Sequence, residues 1–248
     1  MRTYLLYLLL PVAVAALLVI FGGPLTYGLG STISTAAFIS SFMGTLVLGL
    51  IAVHRHYHLF IKEGNFAIFN AALGFLVLAF FSAAAGLSFI SEFFVPIVGW
   101  LIQIGTLLAA LWFFCSSFIK NEKIEALETR GEIAFMYMVI ALVVSAAITW
   151  LIYIFQPALP LVYDPAIGWG RELLLSRAAA AVLFLIVGMR LAARGYNVIA
   201  GTLFLLAVGS AGVSVVYALD ILGTHPLIWL NRALTLLAAW LFLRRAHA

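Results

Sequence analysis

Charge is scarce in this chain. Asp, Glu, Lys and Arg make up 9% of its 248 residues and hydrophobic residues 66%, whereas a soluble domain carries about a quarter charged residues. That deficit excludes a globule solvated by water, and most of the surface must face lipid. Cysteine occurs once, at Cys115, which excludes an intrachain disulfide and any cysteine-built metal or redox centre. Lysine is confined to Lys62, Lys120 and Lys123, all in turns, so none is placed inside a late span to form a retinal-type Schiff base. No nucleophile elbow, zinc-protease helix or P-loop occurs in the sequence, and no enzymatic activity is expected. The net charge of +4 is spread over helix ends and forms no patch, so nucleic acid is not an expected partner.

Long apolar runs fill the rest. A spanning helix takes roughly 20 residues, and hydropathy places eight spans at residues 3–22, 33–54, 65–90, 95–118, 133–155, 173–193, 197–219 and 227–243. The fold class expected is all-α, a polytopic membrane protein whose main partner is the bilayer. The first run exceeds a signal-peptide core and no A-x-A site follows it, so it reads as a retained span. With the N-terminus cytoplasmic, Arg2, Arg55, Lys62, Lys120, Lys123, Arg130, Arg190, Arg194, Arg244 and Arg245 fall inside, and Arg171, Arg177 and Arg232 outside. This asymmetry predicts an inner-membrane protein with both termini in the cytoplasm. The outer turn at 156–172, with Tyr163, Asp164 and Trp169, is expected on the membrane surface, and the turn Asn121–Glu132 as a short solvated helical extension.

The sequence also repeats itself. Trp100, Leu101, Thr106, Leu107, Leu108, Ala109 and Ala110 recur 129 positions later as Trp229, Leu230, Thr235, Leu236, Leu237, Ala238 and Ala239. Weaker echoes link Ile20 and Phe21 with Ile154 and Phe155, and Arg55 and Tyr57 with Arg194 and Tyr196. They divide the chain into four-helix units at 1–119 and 132–248 joined by a cytoplasmic linker at 120–131. Because four is even, the units share one orientation, as in parallel-repeat transporters.

Ionisable groups inside spans mark functional candidates. Arg177, Arg232 and Asp220 fall near the outer ends of the last three spans, with Tyr217 and Asn231 at similar depth. Gln103 occupies the repeat position of Arg232. Together they predict an outward-opening pocket within the C-terminal unit for a small anionic or polar ligand from outside, with Glu172 as a further member. The alternative is that both arginines snorkel to lipid headgroups. Small residues at Ala83–Gly86 and at Gly209, Ala211 and Gly212 predict that the third and seventh spans are the most closely packed. His54, His56 and His58 cannot converge on one helical face, so they read as a basic interfacial anchor, with no metal or haem expected.

A span ending in a basic turn, an aromatic-rich span, and then Trp100, Leu101, Gln103, Thr106, Leu107 and Leu108 with Phe113 and Phe114 resemble the multi-pass membrane-associated sensor regions that precede histidine kinases and diguanylate cyclases. The likeness covers residues 36–118 and implies a sensing role, with no residue roles carried over. No soluble effector is expected after Arg244, Arg245, Ala246, His247 and Ala248, and a protein partner at the cytoplasmic face is expected to receive the signal. The alternatives are a small-solute transporter, for which the three-plus-one-plus-three arrangement of sugar-efflux transporters is a topological analogy, and an accessory subunit of a larger membrane complex.

Overall fold

The computed structural model describes residues 31–87, 97–119, 124, 126–160, 162–164, 168–219 and 226–244. Among these are seven α-helices: α1 (Ser31–Glu63), α2 (Phe66–Leu87), α3 (Val98–Ser116), α4 (Leu127–Phe155), α5 (Arg171–Ala193), α6 (Asn197–Ala218) and α7 (Pro226–Arg244). They coincide with seven of the eight expected spans; the one at 3–22 and the Ile20–Phe21 echo lie outside the described residues. Six are long and apolar enough to cross a membrane, the character of a multi-pass membrane protein. Between α4 and α5 lie a 3₁₀ turn at Gln156–Ala158 and a two-residue antiparallel pairing of Tyr163–Asp164 with Gly168–Trp169.

The helices close into a ring. Each packs on the next in the order α1, α2, α3, α5, α6, α7, and α7 returns to α1. Helix α4 stands outside and leans mainly on α2, exposing Phe135, Val143, Trp150 and Phe155, the surface expected of a helix facing acyl chains. The ring is made of two runs of consecutive helices, α1–α2–α3 and α5–α6–α7, joined by the α3–α5 contact and by the closure α7–α1. Their first turns match, since Gly64 after α1 and Gly195 after α5 both adopt positive φ, 75° and 84°, a conformation that favours glycine.

Small residues set the spacing. A Cβ on Gly49 would lie 2.8 Å from that of Ala79, and one on Gly105 would fall 2.4 Å from Phe81, so α2 approaches both neighbours closely. As the small-residue pattern predicted, α2 and α6 are the most buried spans, at 67% and 72% of their apolar windows against 17% for α4.

Three sequence expectations are corrected here. Arg130 is not a solvated linker residue: it donates through NH1 to the carbonyls of Ile61 (2.7 Å) and Lys62 (3.1 Å), neutralising the carbonyl end of α1. Of the three histidines, His54 and His58 do share an exposed face, with rings 4.5 Å apart. His56, however, is 1% exposed and stacks on Phe242 at 4.3 Å, so it is part of the core where α1 meets α7. Finally, Arg55 and Tyr57 lie within α1 whereas Arg194 and Tyr196 flank the turn after α5, so that echo joins unlike places.

Candidate functional site

A cavity sits inside the ring, and all six ring helices line it. It offers about 30 Å³ to the centre of a water-sized sphere, where one buried water needs about 10–15 Å³. Its polar lining is Ser82, Thr106, Ser210, Asn231 and Thr235 with the two arginines Arg177 and Arg232, and no carboxylate lines it among the described residues. Each arginine is the seventh residue of its helix, so both stand about 9 Å along from the helix start at 1.5 Å per residue.

Arg177 is 3% exposed. Two of its donors are met from α3: Nε donates to Oε1 of Gln103, and NH1 donates to the Thr106 hydroxyl at 3.0 Å. Gln103, 2% exposed, passes the chain on by donating through Nε2 to the Tyr217 hydroxyl at 2.5 Å. The amide orientation follows from its neighbours, since a guanidinium can only donate and must meet the carbonyl oxygen. Thr106 in turn donates to the carbonyl of Ile102 at 2.7 Å, which leaves its lone pairs facing Arg177.

Arg232 is held differently. Its guanidinium carbon stands 4.0 Å over the centre of the Phe42 ring, a cation–π contact worth about 0.5–2 kcal/mol depending on desolvation. Its Nε is buried and makes no hydrogen bond. Neighbouring Asn231 is packed so tightly against α6 that a Cβ on Gly209 would lie 2.5 Å from Oδ1.

Of the six residues singled out from sequence, five converge: Arg177, Gln103 and Tyr217 form one hydrogen-bonded chain, and Arg177, Arg232 and Asn231 line one cavity. Asp220 lies outside the described residues. The expected location is corrected, however. The cluster does not belong to the C-terminal unit alone, because Arg177 bonds to Gln103 and Thr106 of α3 and Arg232 stacks on Phe42 of α1. Glu172 is exposed and does not line the cavity. The snorkelling alternative fails for Arg177, whose side chain is turned inward. Sequence reading missed Phe42, Ser82, Ser210 and the roles of Thr106 and Thr235. The signal for the last two was present: they are a repeat pair, and each donates to the carbonyl four residues back.

Below the cavity the ring is filled by aromatic side chains. Phe75 meets Phe113 at 5.4 Å and Phe242 at 4.6 Å, and Phe113 meets Phe184 at 6.1 Å. Phe113 and Phe242 are again 129 positions apart, and both are at most 1% exposed. Past this layer a second cavity opens between the far ends of α3 and α5, lined by Phe113, Ser116, Ser117, Leu191, Arg194 and Tyr196 among others. There Arg194 donates to the Ser117 carbonyl at 2.8 Å. Among the described residues no group of three or more histidine, cysteine, aspartate or glutamate side chains could hold a metal ion. Compared with known proteins, the chain matches no family model, no curated protein and no solved structure.

Proposed function

We propose that this chain is an inner-membrane protein of eight spans, built from two parallel four-helix units at 1–119 and 132–248, that binds a small anion between them. One observation carries the reading: two guanidinium groups at equal depth open onto one cavity that has no lining carboxylate among the described residues. Like charges that face one cavity in a low-dielectric interior repel each other, and an anion between them relieves both. The unused buried Nε of Arg232 gives that anion a donor. The cavity's size suits chloride, nitrate or formate better than a sugar phosphate.

The repeat is supported by positions. Ile102 and Asn231, Thr106 and Thr235, and Phe81 and Ser210 are each 129 apart, and all six line the cavity. In the sensing mode a bound anion draws the two helix triads together and alters the face they offer a protein partner. A second reading, passage of the anion through the bundle, is favoured by the second arginine-bearing cavity.

The test is thermal stabilisation and tryptophan fluorescence of the purified full chain, titrated with chloride, nitrate, formate and phosphate. At least one should stabilise it, Arg232→Ala should abolish the response and Arg177→Lys should weaken it, since an ammonium cannot reproduce a two-bond guanidinium grip. If none of the four anions shifts the melting temperature, the reading is wrong.

A further inference from the structure

The two cavities lie in series along one pair of helices. Helix α5 turns Arg177 and Phe184, seven residues apart, to the first cavity, and Leu191 and Arg194 to the second. Helix α3 turns Thr106 to the first cavity and Phe113, seven residues on, to the second. Spacings of seven keep a residue on one helical face, so a single seam runs down the α3–α5 interface. Between Arg177 and Arg194 it extends about 26 Å at 1.5 Å per residue, most of the roughly 30 Å hydrocarbon thickness. Between the cavities the seam crosses the aromatic layer, where Phe184, which lines the first cavity, meets Phe113, which lines the second, with rings 6.1 Å apart and tilted 62°.

We propose that this seam is a permeation path for the small anion bound at Arg177 and Arg232, with Phe113 and Phe184 as its gate and Arg194 as the receiving cation. The inference rests on the anion-binding reading and adds transport to it. Hydrophobic constrictions close a pathway by excluding water, and they open by a modest side-chain or helix displacement. A cation at each end is suited to an anion, because each offers a favourable step that does not bind so completely as to trap the ion. Guanidinium N–H groups at either end replace part of its hydration, since the hydroxyls of Thr106, Ser116 and Ser117 donate to the carbonyls of Ile102, Trp112 and Phe114. The other junction between the triads, α7 with α1, carries His56 stacked on Phe242, and neither cavity is lined by that pair. The path is therefore assigned to one side of the ring.

The experiment reconstitutes the full chain in liposomes and follows entry of labelled chloride, nitrate, formate or phosphate, whichever stabilises the purified protein. Wild-type vesicles should take up the anion faster than protein-free ones. Phe184→Ala should raise the rate about tenfold by removing the constriction, Phe184→Leu should raise it less, and Arg194→Gln should slow it. The leucine variant removes less packing volume than alanine, so it reports even where the alanine variant fails to fold. Should an anion bind while wild-type vesicles and both Phe184 variants stay as tight as empty ones, the path falls and the binding site stands. Wild-type uptake that neither Phe184 variant changes would overturn the gate. Absence of binding by all four anions removes the underlying reading instead.

Discussion

Thr106 and Thr235 stand 129 positions apart on α3 and α7, line the same cavity, and make the same bond to the carbonyl four residues back, at 2.7 Å and 2.8 Å. Only Thr106 also accepts from a guanidinium, that of Arg177. The matched pair is thus chemically divided, and a paired substitution separates scaffold from site.

Thr106→Val removes an acceptor from a buried cation, a loss of about 1.5–3 kcal/mol for a charged hydrogen bond. It should lower the melting temperature of the detergent-purified protein and weaken anion binding at least tenfold. Thr235→Val should change anion affinity by less than about threefold, since it removes only a back-bond that the helix does not require. Calorimetric titration of both variants reads the difference.

Gly105→Ala should destabilise by about 1–3 kcal/mol, because the new methyl would meet Phe81 at 2.4 Å and α2 cannot retreat without moving the cavity wall. Gly131→Ala is expected to act in the opposite direction. Nothing lies within 4 Å of a Cβ there, and alanine in a helix is favoured over glycine by about 1 kcal/mol. Melting curves of the two variants should move to opposite sides of wild type.

The two positive-φ turns should respond unequally to alanine. At Gly195 a Cβ finds open space, so only the backbone conformation resists, at about 1 kcal/mol. At Gly64 the same strain is joined by an approach of 2.6 Å to the Ile124 carbonyl and 2.9 Å to Arg130. Gly64→Ala should therefore detach the segment before α4 and expose it to limited proteolysis, and Gly195→Ala should not.

Topology is testable independently. Reporter fusions after Lys120, Arg194 and Ala248 should read cytoplasmic and one near Asp164 external, following the distribution of basic residues. A reversed result at any of the four would remove the eight-span arrangement.

Helix positions were legible in the sequence because lipid imposes one strong rule, a run of about 20 apolar residues per crossing. Five of the site residues were legible for the same reason, since a polar group in such a run is costly enough to stand out. Which helices those groups would meet was not legible. Arg177 was expected to meet groups of its own C-terminal half, yet it bonds to Gln103, 74 positions away. The ring order that joins α3 to α5 and leaves α4 outside depends on shape between helices, and hydropathy is nearly blind to that. His56 misled for a related reason: His54 and His58, two positions to either side, are exposed, and its partner Phe242 is at the other end of the chain.

The return of α7 to α1 bears on biogenesis. Helices enter the bilayer in order of synthesis, so when α5 brings Arg177 into the membrane, Gln103 and Thr106 of α3 are already there to receive it. Arg232 arrives on the last helix, and Phe42 on the first described helix is waiting. Each costly arginine is thus made after its host. The order of translation itself lowers the barrier to inserting them, and a chain released before α7 would leave the ring open and the cavity unformed.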